Sequence, residues 1–205
     1  MRHILIYFLL LNARLIFGQE NFTPNKITDN QITLDGFLNE EFWSLAAKVP
    51  FDIEFSPANN EPSRIKSYGY ISYSKEFIYV GIDAKVDPKN IRVSVRQRDD
   101  LNMLNDDFIA LRFDTFRDAR NNIVLGVNAL GSQLDARQIN EISEDKRYDV
   151  SFNINFQSFG SITEDGYQIE MKIPFSEIEF PNGNDQTWHF NFYRRYFEDG
   201  NVIEL

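Results

Sequence analysis

The sequence contains no cysteine and only two histidines, His3 and His189, among its 205 residues. Without cysteine, neither a disulfide nor a thiolate-bound metal can stabilise the fold, and two histidines are too few for a histidine-based zinc site. If the N-terminal segment is removed, a nucleophile activated by histidine would have to use His189. That residue lies in an alternating run (187–195) with no glycine-flanked serine nearby. A structural or ligand-contacting role therefore fits His189 better than catalysis.

The sequence also lacks a basic excess and a long apolar run. Lysine and arginine number 21 against 31 acidic residues, so the formal charge is −10. This charge argues against nucleic acid as a partner, because a phosphate-binding surface needs positive charge. The apolar run ILIYFLLL (4–11) is too short for a permanent membrane-spanning helix and instead predicts a secretory signal peptide over residues 1–18. A buried N-terminal strand or a wrongly assigned start codon are the alternatives.

The spacing of apolar residues predicts an all-β fold with one short helix. The helix is predicted over 39–49, capped by Asn39 and with these apolar residues on one face: Phe42, Leu45, Ala46 and Val49. Apolar and polar residues then alternate, which predicts strands at 66–73, 76–84, 90–97, 106–114, 121–129, 149–157, 166–173 and 187–195. A helical turn is predicted after Pro174. Strands at hairpin spacing without long helices between them indicate an antiparallel β-sandwich, jelly-roll or immunoglobulin-like, over residues 27–205.

Several segments resemble known proteins. ITLDGFLNEEFWSLA (32–46) is similar to the opening of family 9-type carbohydrate-binding modules, in which an isoleucine–aspartate–glycine turn precedes a short helix with a tryptophan and an alanine. Later segments resemble, in order, outer-membrane proteins in which such a DOMON-like module precedes a β-barrel: 106–122, 127–136, 166–180 and 188–195. The resemblance covers about residues 27–200. In one departure, Phe156 stands where that group usually has a tryptophan, so an aromatic residue there would be smaller and lack a hydrogen-bond donor.

The resemblance implies a β-sandwich that binds oligo- or polysaccharides in the periplasm, outer membrane or at the cell surface of a Gram-negative bacterium. It implies glycan capture or carbohydrate catabolism, and a C-terminal membrane barrel or catalytic domain in the full-length protein. The chain ends directly after a predicted strand, which suggests a fragment of a longer protein. Two other functions remain open. These are glycoside hydrolase activity, which needs two facing carboxylates, and a transport or assembly role without a sugar.

A saccharide site needs aromatic faces for the sugar ring and planar polar groups for its hydroxyls. Tyr68 and Tyr70, on one predicted strand, offer rings with hydroxyl groups. Arg96 and Arg98 belong to a basic cluster in an acidic protein and can donate to sugar hydroxyls or to a uronate carboxylate. A charged strand edge is the alternative for this cluster. Trp188 is a further candidate, although its alternation with neighbouring phenylalanines also fits the core.

The segment RFDTFRDARNN (112–122) is predicted to contain the connection between two paired strands. Asp114, Asp118 and Asn121 offer hard oxygen ligands and make Ca²⁺ a candidate cofactor. However, Ca²⁺ needs about six to eight oxygens, and the arginines of this segment oppose a cation. A structural hairpin held by aspartate–arginine pairs is the alternative. The segment has no plausible base at neutral pH, and no catalytic residue is predicted.

Overall fold

The computed structural model describes residues 22–28, 32–139, 148–183 and 185–205. Two six-stranded sheets pack face to face, which confirms the predicted antiparallel β-sandwich. The predicted signal peptide, residues 1–18, lies outside the described residues. None of the helices in these ranges is long and apolar enough to cross a membrane.

The strands of the described residues are β1 (Asn25–Lys26), β2 (Ala47–Pro50), β3 (Ile53–Glu54), β4 (Glu61–Pro62), β5 (Ser67–Tyr73), β6 (Phe77–Lys85), β7 (Phe108–Asp114), β8 (Asn121–Asn128), β9 (Gln133–Ile139), β10 (Tyr148–Asp149), β11 (Gln157–Thr163), β12 (Gly166–Pro174), β13 (His189–Glu198) and β14 (Asn201–Glu204). The first sheet has the order β1-β5-β6-β12-β11, and β2 also pairs with β5. The second sheet has the order β10-β9-β8-β7-β13-β14, and β3 and β4 form a separate hairpin. The β1–β5 pair is parallel.

The core lies between the two sheets because alternate side chains of each strand point inward. On β6, Ile78, Val80 and Ile82 are buried toward the second sheet, where Ile109 and Leu111 of β7 belong to the same cluster. Burial of each such side chain stabilises the fold by about 1.5–3 kcal/mol. The outer face of the first sheet carries the side chains at the intervening positions.

The predicted helix over 39–49 is shorter in the structure, where it is a 3₁₀ helix over Glu41–Leu45. Asn39 does not cap it, because the capping position is one residue later and has no side-chain cap. Leu45, expected on the buried face, is 71% exposed. The helix stops early because Ala47–Pro50 leave it to pair with β5. Strand pairing here outweighs the local helical pattern.

The short helix covers the middle of the outer face of the first sheet. Phe42 and Trp43 are buried there against Tyr79 of β6. The other short helices are Pro88–Asn90, Leu101–Asn105 and Phe175–Glu177, all of the 3₁₀ type. The last of these is the predicted helical turn after Pro174, which occupies its N-cap position.

Two predicted strands, 90–97 and 149–157, are mostly extended chain without a partner strand. Residues 91–97 form no strand, and between β10 and β11 only the alternation of buried and exposed side chains follows the prediction. Their backbone N–H groups donate to side-chain oxygens instead: Arg92 to Asp107 at 2.5 Å, Ile154 to Asp135 at 2.6 Å and Asn155 to Glu177 at 3.1 Å. Carboxylates thus replace a neighbouring strand as acceptors for these three N–H groups.

Candidate functional site

Tyr68 and Tyr70 lie on the outer face of the first sheet, two residues apart on β5. The ammonium group of Lys48, on the adjacent β2, is 3.8 Å from the ring centroid of Tyr68 and 5.7 Å from that of Tyr70. Tyr70 also contacts Trp43, with ring centroids 6.5 Å apart. Lys48 therefore covers one face of the Tyr68 ring. Sugar binding by this pair stays a prediction.

The guanidinium groups of Arg96 and Arg98 both form ion pairs within the protein. Arg96 donates two hydrogen bonds to Asp106, from Nε at 3.0 Å and from Nη2 at 2.7 Å. Arg98 donates to Asp135 at 2.5 Å and also to the backbone oxygen of Ile154. These bonds fix the two unpaired extended segments to the second sheet. The geometry indicates a structural role for both arginines, and their contact with a saccharide stays a prediction.

Trp188 is half-buried at one end of the core. Its indole ring lies within 5.3–6.2 Å, between ring centroids, of three phenylalanines: Phe113, Phe175 and Phe180. The adjacent His189 is exposed, and its Nδ1 lies 3.5 Å from a carboxylate oxygen of Asp114. Trp188 thus helps to close an aromatic cluster of the core, and a role in sugar binding stays a prediction for it.

The connection from β7 to β8 is a turn between paired strands, as expected. Its carboxylates accept hydrogen bonds from backbone N–H groups: Asp114 from Asp118 at 3.2 Å and Ala119 at 3.0 Å, and Asp118 from Arg120 at 2.8 Å and Asn121 at 3.3 Å. These bonds stabilise the turn. In the described part of the chain, no group of three or more His, Cys, Asp or Glu side chains could hold a metal ion. Binding of Ca²⁺ by Asp114, Asp118 and Asn121 stays a prediction.

A cleft of about 220 Å³ lies on the outer face of the first sheet. One of its lining residues, Phe77, packs against the buried cluster that contains Phe42, Trp43 and Tyr79. It is lined by residues from β6, β11 and β12 and from the segment before β11: Phe77, Asn155, Gln157, Lys172 and Pro174. We call it the Lys172 cleft. Its residues are far apart in the sequence, and strand pairing brings them together. Gln157 and Tyr79 are the direct cross-strand neighbours of Lys172, on either side of β12.

The Lys172 cleft combines apolar, amide and cationic groups. The ammonium group of Lys172 lies 4.0 Å from the ring centroid of Phe77 and 5.9 Å from that of Tyr79. Asn155 and Gln157 contribute amide groups, each of which can both donate and accept hydrogen bonds. No carboxylate belongs to the described lining of the cleft. The arrangement is suited to a small polar ligand that presents several oxygen atoms.

A second concavity, of about 300 Å³, lies between the β3–β4 hairpin and the β13–β14 hairpin. Its charged lining consists of Glu54, Glu61, Arg64, Glu198 and Asp199. Within the described residues, no aromatic side chain lines it. It therefore lacks the apolar ring surface that a saccharide site needs.

Three buried carboxyl groups have raised pKa values. Burial raises the pKa of Glu170 to about 7 and that of Asp107 to about 6, and it also raises the pKa of Asp135. A glycosidase needs an acid with a raised pKa that faces its substrate across a cleft. None of the three lines either concavity. Their positions favour a structural role over catalysis.

Glu170 joins the short helix to β12, a contact that the sequence does not reveal. Its side chain is fully buried and accepts three hydrogen bonds, from Asp35 N–H at 2.9 Å, Gly36 N–H at 2.9 Å and Trp43 Nε1 at 3.2 Å. Gly36 has a φ of +87°, which favours glycine. The aspartate–glycine turn and the tryptophan of segment 32–46 thus share one carboxyl partner.

Comparison with known proteins gives matches among solved structures only. No protein-family model matches the chain, and a search of curated proteins gives no match. A family 9 carbohydrate-binding module from Caldicellulosiruptor kristjanssonii in complex with cellotriose has a TM-score of 0.57 and 14% sequence identity. That match covers 88% of this chain and 80% of that chain. A structure of such a module from the same organism in complex with glucose has a TM-score of 0.57 and 13% identity, covering 87% and 83%.

A third similar structure is a Bacteroides uniformis protein described as a candidate carbohydrate-binding protein. It has a TM-score of 0.57 and 13% identity, and the match covers 78% of this chain and 77% of that chain. These matches show that the chain has the β-sandwich fold of family 9 carbohydrate-binding modules. Because the identities are low, they show the fold alone, and the function has to be argued from the site.

Proposed function

We propose that this domain binds saccharides without converting them and that the Lys172 cleft is its binding site. The observation that carries the proposal is the combination, in one cleft, of an aromatic ring, two amide side chains and an ammonium group. A saccharide site needs apolar surface for the sugar ring and a few fixed polar groups for its hydroxyls. The shared fold with modules solved in complex with cellotriose and glucose supports the proposal.

The size of the cleft limits the ligand. Its volume of about 220 Å³ is below the roughly 300–1,000 Å³ of pockets that enclose a whole drug-sized ligand. We therefore expect it to hold one sugar ring, with the rest of the glycan in solvent. Such a shallow contact buries little area, so we expect weak binding, with a Kd in the micromolar to millimolar range.

A glycan array with the purified domain identifies a binding saccharide, and calorimetric titration then tests the site. Phe77→Ala and Gln157→Ala should each weaken binding by about tenfold, the effect of losing one useful contact. The matched controls Phe116→Ala and Gln97→Ala alter exposed residues outside the cleft and should bind like the unmodified domain. If Tyr68→Ala abolishes binding and the cleft variants do not, the cleft is not the site. If no saccharide binds, the proposed function is wrong.

The absence of turnover is tested separately. Oligosaccharides incubated with the domain should remain unchanged, because the carboxyl groups with raised pKa values line neither concavity. Release of reducing ends would contradict this part of the proposal. In that case the second concavity, which is lined by several carboxylates, would be the candidate active site, and Glu198→Gln would test it.

We extend the proposal to the cell: an exported domain that captures glycans for carbohydrate catabolism, joined in a longer protein to a membrane barrel or a catalytic domain. The support is the pattern of residues 1–18 together with the resemblance of later segments to outer-membrane proteins. Expression in a Gram-negative host followed by mass spectrometry should find the mature protein outside the cytoplasm without residues 1–18. An uncleaved cytoplasmic product would contradict export.

A further inference from the structure

We infer that the Lys172 cleft selects saccharides that carry an anionic group, either a uronate carboxylate or a sulfate ester. This inference rests on the proposed saccharide binding and adds the chemical class of the ligand. Its first support is charge: Lys172 is the only charged side chain in the described lining of the cleft. The protein as a whole has a formal charge of −10, yet no carboxylate belongs to the described lining of this cleft.

No carboxylate of the described residues neutralises the ammonium group of Lys172. In the described ranges it forms no ion pair within 4.0 Å, whereas Lys66 pairs with Asp52 at 2.7 Å. Lys85 likewise lies 2.9 Å from Asp83. An anionic ligand would therefore gain an ion pair with Lys172 without displacing a carboxylate of the protein.

The same ammonium group is held in position before any ligand arrives. It lies over the Phe77 ring, where the negative face of the aromatic ring attracts a cation. Its side chain is also flanked on β12 by Gln157 and Tyr79 from the neighbouring strands. Part of the side-chain entropy that binding would cost is thus already lost in the free protein, which favours binding at this position.

The two amide groups of the cleft provide hydrogen-bond donors, in addition to Lys172, for an anionic ligand. Gln157 is adjacent to Lys172 across the β11–β12 pair, and Asn155 lies two residues earlier in the chain. The backbone N–H of Asn155 donates to Glu177 at 3.1 Å, which fixes the segment that carries this amide. An ammonium group with two amide groups can bind the oxygens of a carboxylate or sulfate, and charge-assisted hydrogen bonds of this kind are stronger than neutral ones.

Matched neutral and anionic saccharides test the inference. We would titrate the domain with trigalacturonic acid and with its methyl ester, and with a sulfated galactan oligosaccharide and its desulfated form. Lys172 is partly exposed, so we expect the smaller effect of a charged hydrogen bond, about tenfold tighter binding of an anionic form. The first pair reports on a carboxylate and the second on a sulfate. The preference should decrease as the salt concentration increases.

The variants assign the preference to Lys172. Lys172→Gln should bind the anionic and neutral forms with equal affinity, and Lys172→Arg should retain the preference. Lys89→Gln removes the same charge from an exposed turn and should behave like the unmodified domain. Melting temperatures of all variants should agree, so that a loss of binding is not a loss of folding.

Two results would overturn the inference. Equal affinity of the unmodified domain for both members of each pair would show that the cleft does not select charge. Equal losses in Lys172→Gln and Lys89→Gln would show a long-range charge effect instead of a contact. In both cases, binding of a neutral glycan that Phe77→Ala weakens would leave the proposed function intact. Failure of every saccharide to bind would contradict both.

Discussion

Glu170 offers a direct test of how burial controls charge in this fold. Its carboxyl group is fully buried and accepts three N–H donors, two on Oε2 and one on Oε1. Burial raises its pKa to about 7, although the N–H donors act in the opposite direction. The folded pKa therefore lies above the ordinary value of 4.5. The folded state binds this proton more tightly than the unfolded chain does.

The sign of the pH dependence follows from this difference. Between about pH 4.5 and 7 the folded protein binds more protons at this site than the unfolded chain, so the free energy of unfolding falls as pH rises through this range. A shift from 4.5 to about 7, at about 1.4 kcal/mol per pH unit, corresponds to a loss of about 3 kcal/mol.

The substitution Glu170→Gln removes the titration and keeps the shape of the side chain. An amide oxygen can replace Oε2 toward Asp35 and Gly36, but the amide nitrogen then faces the indole N–H of Trp43. This donor–donor contact should cost about 1–3 kcal/mol. At pH 4.5 the variant should therefore be less stable than the unmodified protein. By pH 8 the difference should have moved by about 3 kcal/mol in favour of the variant.

Denaturant unfolding followed by tryptophan fluorescence from pH 4.5 to pH 8 measures this difference. The control Glu164→Gln alters an exposed residue in the turn between β11 and β12 and should follow the unmodified protein at every pH. If the advantage of the unmodified protein over Glu170→Gln increases with pH, the sign of the reasoning is wrong. The three N–H donors would then outweigh burial and favour the charged carboxylate.

Three further predictions concern stability and metal binding. Gly160→Ala should lower the free energy of unfolding by about 3 kcal/mol, because the new Cβ would lie 2.6 Å from a backbone oxygen of the β8–β9 turn. In the control Gly126→Ala, the atom nearest the new Cβ is a flexible methionine methyl group at 3.3 Å, so thermal unfolding should show little change. Arg98→Ala should lower the free energy of unfolding by about 2–3 kcal/mol, because Asp135 would stay buried without its ion-pair partner. An unchanged melting temperature would contradict the structural role of Arg98 and return it to the candidates for saccharide binding. Calorimetric titration of EDTA-treated protein with Ca²⁺ should give no heat, because Asp118 already accepts backbone N–H groups; a micromolar site that Asp118→Ala abolishes would establish a calcium site.

The alternation of apolar residues located most of the sandwich because inward and outward positions alternate along a strand. The alternation mispredicted a strand where the side chains alternate in burial but the backbone does not pair with a neighbouring strand. In 149–157 the side chains alternate in burial, but backbone N–H groups donate to Asp135 and Glu177 instead of to a neighbouring strand. Alternation reports which side chains are buried and says nothing about the acceptor of each backbone N–H.

Strand β9 was not predicted because charged residues occupy its inward positions. Asp135 is the cross-strand neighbour of Leu125, a fully buried core residue, and therefore points toward the core. Its charge is compensated by Arg98, which lies 37 positions away in the sequence. A buried pair of this kind breaks the apolar pattern, and its partner can be identified only in three dimensions.

Prediction of the candidate site from the sequence has the same limit, because it depends on which strands are neighbours. The sequence predicted that Tyr68 and Tyr70 share one face of a strand, and the structure has them two residues apart on β5. Sequence reasoning could not bring Phe77, Gln157 and Lys172 together, because they lie on three strands whose order and register are set by tertiary pairing. Lys172 by itself looks like an ordinary exposed lysine in an alternating strand. Only its position above an aromatic ring and beside two amides gives it a chemical role.

The residues that carry the family resemblance mostly build the frame, and this separates the fold from its ligand specificity. Asp35, Gly36 and Trp43 all donate to the buried carboxyl group of Glu170. Gly36 and Trp43 are themselves buried there, whereas Asp35 is exposed. Three of the cleft residues, Phe77, Asn155 and Gln157, lie outside the segments that carry the resemblance, whereas Lys172 and Pro174 lie within 166–180. A similar fold in proteins that bind cellotriose or glucose is therefore compatible with a different saccharide here. In the proposed site, Lys172 should decide which saccharide binds, although it lies within the resemblance segment 166–180.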